Sequence, residues 1–293
     1  MGLLDFIFRK KVSGNNDAHA AGSSFEKVQG PEGMQMPKLF ADNWSIIEET
    51  KLPYISITAT PGSPGTTEKS SFGYFTRIPK DTAYPKDSYG EYMYPLAQIS
   101  FREVPHLEGY PESGYLQFYI STSDGSYGLN FKDSRDQKDF RVLFFEEEEL
   151  SDPQTDFSFL WNMMEKNESP VDTAHSLSFS LKNDYVGAGD IRFDNNADNI
   201  VQKLLKGYPA YEGEIQDALH DTFTGTGHKM GGYAYFTQAD PRDNETENYL
   251  LLLQIDSGDK IMWGDVGVGN FFIDAAALKS KDFSKVLYNW DCC

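Results

Sequence analysis

The chain is nearly without cysteine: its 293 residues include only Cys292 and Cys293. A disulfide between neighbours is strained and closes no useful loop, so the fold is expected to stand without covalent staples, as in a reducing cytoplasm. Basic side chains are also scarce, 26 Lys and Arg against 45 Asp and Glu, for a formal charge of −19. Such a charge repels phosphate backbones and acidic lipid headgroups, which argues against nucleic acid and for a basic protein as partner. No apolar run is long enough to span a bilayer, so no integral membrane segment is expected. The sequence has no Gly-x-x-x-x-Gly-Lys-Ser/Thr, His-Glu-x-x-His, Gly-x-Ser-x-Gly or Cys-x-x-Cys. The common phosphate, zinc and acyl-transfer chemistries therefore lack their signatures, and no cofactor is expected. Its five histidines, His19, His106, His175, His220 and His228, follow no established ligand spacing, so no metal is expected either.

What is abundant is aromatic: 21 Phe and 17 Tyr, in a chain that is 39% hydrophobic. These residues favour half-buried pleated surfaces, which predicts an α+β fold, mostly antiparallel β, with a few packed helices. Residues 1–37 read as a short amphipathic helix followed by a tether. In MGLLDFIFRKK the apolar residues precede the basic ones, the reverse of a secretory leader. Leu3, Leu4, Ile7 and Phe8 share one helical face suited to docking or self-association. Position 6 is Phe, so the myristoylation pattern fails. Residues 12–37 are rich in Gly, Ser, Asn and Pro with no apolar period.

From residue 38 a single domain is expected. Helices are predicted over 39–51, 157–167, 198–207 and 211–223, and strands at LPYISITA and RVLFF. Hairpin turns are predicted at Asp124-Gly125 and Asp256–Asp259. Glu146–Glu149 reads as a solvated strand end or loop.

A motif order recurs within the domain. Ser71-Phe72-Gly73-Tyr74, Pro95-Leu96-Ala97-Gln98-Ile99 and Gly114-Tyr115-Leu116-Gln117-Phe118 are followed later by Lys229-Met230-Gly231-Gly232, Leu252-Leu253-Gln254-Ile255 and Gly269-Asn270-Phe271-Phe272. This predicts two pseudo-repeats, about 53–150 and 211–293, joined by a helical segment and paired about a pseudo-two-fold axis. Each would hold a Gly-initiated loop, a buried strand with one Gln, and an aromatic strand. The stretch Gly225–Gly232 looks superficially like a dinucleotide loop, but it leads into YAYF, read as a strand, where that chemistry needs a helix N-terminus.

The order of motifs resembles the YwqG-like family, a bacterial group of unknown function, over most of 70–290. The resemblance rests on His228-Lys229-Met230-Gly231-Gly232-Tyr233 with Gln238, Leu252-Leu253-Gln254, Trp263-Gly264-Asp265-Val266-Gly267 and Phe271-Phe272-Ile273. The family pattern has Gly-Gly where this chain has Gly73-Tyr74. The resemblance implies an α+β fold with a duplicated core, and no accepted catalytic residues.

A Gln within an apolar strand costs about 1–3 kcal/mol unless it is hydrogen-bonded. Gln98 and Gln254 therefore either fasten irregular backbone or face a polar pocket between the repeats. In a pocket, Trp263 would offer an aromatic wall, Asp265 an anionic acceptor and His228 a titratable group, suited to a basic or carbohydrate-like ligand. The expected function is a non-catalytic protein-binding module with an acidic surface. The alternative is a small-ligand-binding protein or enzyme with its site at the repeat interface.

Overall fold

The computed structural model describes residues 24–166, 168–187, 189–193, 200, 201, 203, 204, 206 and 211–293. A two-stranded hairpin, β1 (Lys27–Gln29) and β2 (Gln35–Pro37), leads into two short helices, α1 (Lys38–Asp42) and α2 (Trp44–Glu48). Ten further strands form one sheet: β3 (Leu52–Pro61), β4 (Ser71–Phe72), β5 (Tyr94–Ser100), β6 (Tyr115–Ile120), β7 (Phe140–Phe145), β8 (His175–Asp184), β9 (His228–Gly231), β10 (Leu250–Asp256), β11 (Val268–Ile273) and β12 (Leu287–Asp291). Helices α3 (Trp161–Lys166), α4 (Glu212–Thr222) and α5 (Ala275–Lys279) lie in the connections. The fold is α+β with mostly antiparallel β, and among the described residues no helix is long and apolar enough to cross a membrane.

The strand order, β12-β11-β10-β9-β3-β8-β4-β5-β6-β7, is two five-stranded halves meeting at the long β3–β8 pair. Within a half the order is simple: β4 to β7 on one side, β9 to β12 on the other. The two central strands are exchanged. β3, which precedes β4 in the chain, pairs with β9 of the other half, and β8, which precedes β9, pairs with β4. The segment between the expected repeats thus contains β8, a central strand of the sheet. Reciprocal exchange makes neither half complete without the other.

The sheet curls so that its two halves face each other across the main core. Phe118 of β6 meets Phe271 of β11 at 4.8 Å between ring centroids, and Phe140 of β7 meets Tyr288 of β12 at 5.1 Å. The outermost strands are joined through their neighbouring loops. Tyr288 N–H donates to the Ser134 carbonyl, and the Gln137 side chain donates to the Phe283 carbonyl, so main-chain groups at the edge find partners. Each half carries a satellite core. Ile78, Tyr115, Phe145, Leu150, Phe157 and Leu160 pack beside the first, and Met36, Phe40, Tyr185, Ile215, Leu219 and Phe223 beside the second.

Several local expectations differ from the structure. Residues 27–37, read as tether, form the β1–β2 hairpin because Met36 is fully buried in the second satellite core. Asp124-Gly125 lies in a long loop, and β6 pairs with β7, because RVLFF supplies more apolar surface than SYGLNF. Tyr233–Phe236 is irregular and not a strand; side chains replace its ladder partners, as described below. The expected helix at 198–207 is only partly described, with Ile200, Val201 and Leu204 buried. Residues 1–23, with the expected amphipathic helix and the start of the tether, lie outside the described residues.

Candidate functional site

The duplicated motifs converge on two irregular loops, one per half, each hooked to the sheet by buried amides. In the first half the Gln98 Oε1 atom accepts the Arg77 N–H at 2.6 Å, and Nε2 donates to the Thr67 and Lys69 carbonyls, both at 2.9 Å. In the second, Gln254 Oε1 accepts the Tyr235 N–H at 2.8 Å, and Nε2 donates to the Gly225 and Gly227 carbonyls at 2.9 and 2.7 Å. The next strand adds a matching bond. Gln117 donates to the Arg77 carbonyl at 2.6 Å, and Asn270 donates to the Tyr235 carbonyl at 2.9 Å. All four amide side chains are fully buried. A Gln carries the same donor and acceptor groups as a peptide unit, so it can satisfy loop backbone that has no strand beside it. Each Gln clamps the loop of its own half.

His228 belongs to the same scheme. Its Nδ1 accepts the Asp256 N–H at 3.0 Å, as the Ser70 hydroxyl accepts the Ser100 N–H at 2.9 Å in the first half. An N–H donor fixes Nδ1 as the unprotonated nitrogen, and the ring rests edge-on against Phe72 at 5.4 Å. Burial, with His175 nearby, pushes His228 down to about 4. The unfolded chain therefore takes up a proton near pH 6.5 that the folded chain resists until about pH 4, so this group removes stability as pH falls through that window. The loss amounts to about 3 kcal/mol. Urea unfolding at pH 7 and pH 4 measures it, and His228→Gln, which keeps an acceptor but does not titrate, flattens that part of the profile.

Trp263 and Asp265 are set apart. Trp263 is fully buried, its ring against Gly269, where an added Cβ would lie 2.5 Å away. Its backbone carbonyl accepts the Gly267 N–H at 2.7 Å, which tightens the turn that carries Asp265 to the surface. The structure therefore places His228 and Gln254 on adjoining strands, Trp263 in the core, Asp265 outside it, and Gln98 in the other half.

The strongest electrostatic feature was not read from the sequence. Lys229, buried on β9, donates to Asp184 at 2.8 Å, and the same carboxylate accepts the Tyr233 N–H at 3.0 Å. Burial pushes the Lys229 ammonium down, opposed by Asp184. Beside it Asp190 pairs with Arg192 at 2.7 Å and with Arg242 at 2.9 Å, while Arg242 also pairs with Asp240. Burial works against the Asp190 charge, but the Arg192 hydrogen bonds and the two guanidinium charges outweigh it and hold the carboxyl at about 2. Arg192 also donates to the Gly232 carbonyl at 2.8 Å and lies 4.4 Å from the Tyr233 ring centroid. Gly232 has φ +68°, and a Cβ there would approach the Asp184 carboxylate to 2.7 Å, so glycine is required. The local signal was a repeated pattern, Asp190-Ile-Arg192 and Asp240-Pro-Arg242.

The second loop is thus locked by hydrogen bonds and buried ion pairs, and in the first loop Tyr74 stands at the position of Gly232. Among the described residues no group of three or more His, Cys, Asp or Glu is placed to hold a metal ion. No curated protein matches the chain. The model of the family described as a domain of unknown function, DUF1963, matches residues 70–292, and the chain belongs to that family.

Proposed function

We propose that the chain is a cytoplasmic, YwqG-like binding module without catalytic activity, and that its acidic surface engages a basic protein. The observation that carries this reading is the matched pair of clamps. Gln98 and Gln254, the polar residues at the centre of the duplication, each have both amide protons and the carbonyl engaged by loop backbone. Their chemistry is that of fasteners. Recognition then falls to the outside of the molecule, where a net charge of −19 attracts cationic surfaces and hastens encounter.

The test is co-purification from cell lysate at low and moderate salt. The expected result is one or a few basic proteins held at low ionic strength and released as screening shortens the reach of the charges. Absence of any salt-sensitive partner at either ionic strength contradicts the reading.

A further inference from the structure

The surface beside the first clamped loop forms an open groove of about 480 Å³, with Tyr74, Phe75, Arg77, Asp156, Phe157 and Trp161 among its walls. Phe75 and Phe157 stack at 5.0 Å and 11°, and Tyr74 leans on Phe75 at 5.3 Å, so the floor is rigid aromatic surface. Trp161, at the start of α3, is 65% exposed. Arg77 is already matched by Glu68 at 2.9 Å and the Leu150 carbonyl at 3.2 Å. Asp156 accepts the Ser158 N–H at 2.9 Å, and that bond favours its ionised form. The groove thus offers ring faces and a carboxylate while its own cation is neutralised.

The other half shows what such a place accepts. Tyr233 occupies the position in the second loop that Phe75 occupies in the first, two residues before the N–H that the clamp Gln receives. Over the Tyr233 ring the chain lays its own guanidinium, Arg192, paired with Asp190. On the first-half side the corresponding loop faces the groove. We propose that this groove receives an arginine or lysine side chain from a basic peptide segment of a partner, stacked on Trp161 and paired with Asp156. The inference rests on the reading of the chain as a module for basic proteins and names the place where docking occurs. A cation over an indole face gains from the ring quadrupole, and the neighbouring carboxylate adds charge pairing.

The test uses the full chain and a fluorescently labelled Arg-Gly repeat peptide, read by anisotropy at fixed salt, with Trp161→Ala, Asp156→Asn and a control, Glu245→Gln, on another surface loop. Trp161 and Asp156 are exposed, so circular dichroism and melting temperature should match the parent. The expected result is binding weakened by about fivefold to tenfold in each groove variant and little changed in the control. Equal binding by all four proteins overturns the groove and leaves the acidic-surface reading standing. No binding of the peptide by the parent at low salt overturns both. Retention of a neutral oligosaccharide that is lost in Trp161→Ala, with the peptide unaffected, overturns the assigned partner class.

Discussion

Gln254→Leu is expected to lower the free energy of unfolding by about 4 kcal/mol, with Gln98→Leu matching it to within about 1 kcal/mol, as read by urea denaturation. The size follows from what the substitution strands. Leucine fills similar volume but leaves the Tyr235 N–H and the Gly225 and Gly227 carbonyls without their partner. Each buried unsatisfied group costs about 1–3 kcal/mol, and entry of water into the loop recovers part of the sum. The match between the variants is the more telling expectation, because the two clamps bond equivalent backbone groups in their own loops. If either residue served mainly a ligand, its replacement would leave stability nearly unchanged.

Asp190→Asn is expected to cost about 3–5 kcal/mol by the same measurement. Asp190 is buried between Arg192 and Arg242 and also accepts the Ala234 N–H at 3.2 Å. Neutralising it removes the carboxylate that faces both guanidinium groups; Arg242 keeps Asp240 and the Tyr249 carbonyl, Arg192 keeps the Gly232 carbonyl, and Arg242 has no exposed side-chain surface through which water could compensate. Replacing one partner of a buried pair is costly because the other charge remains in a poorly solvated place. A double-mutant cycle with Arg242→Met should therefore return a coupling above about 2 kcal/mol. Acid provides a parallel test. Because the folded carboxyl is held at about 2 against a usual 3.8, Asp190 contributes fully above pH 3.8, and that contribution fades as pH falls towards 2. This window lies below the one set by His228.

The β-rich architecture was legible because aromatic, β-branched and short continuous apolar runs declare themselves locally, as LPYISITA, RVLFF and LLLLQID do. The duplication was legible from the recurrence of one Gln in an apolar strand near a Gly-initiated loop. Its physical meaning was open in the sequence, since a buried Gln signals only that it has partners. The exchange of β3 and β8 was hidden because pairing between residues so distant in the chain depends on the whole sheet, and LPYISITA and HSLSFSLKND share no motif. Asp124-Gly125 misled for a related reason: a good turn dipeptide does not choose its strand partners. Lys229 was visible beside Met230 in the second motif, yet its counter-ion Asp184 comes from β8, and the Asp190–Arg242 pair joins two segments about fifty residues apart, which no local pattern brings together.

The central claim is that the polar residues of the duplicated motif fasten two loops from inside the fold. Native-state hydrogen exchange at the Arg77 and Tyr235 amides, the donors to Gln98 and Gln254, tests it most directly. The account predicts that both amides exchange only through global unfolding, with the same free energy as the strand amides of β5 and β10. Exchange of either amide by a low-energy local opening would mean that the clamp does not hold its loop to the sheet, and would contradict it.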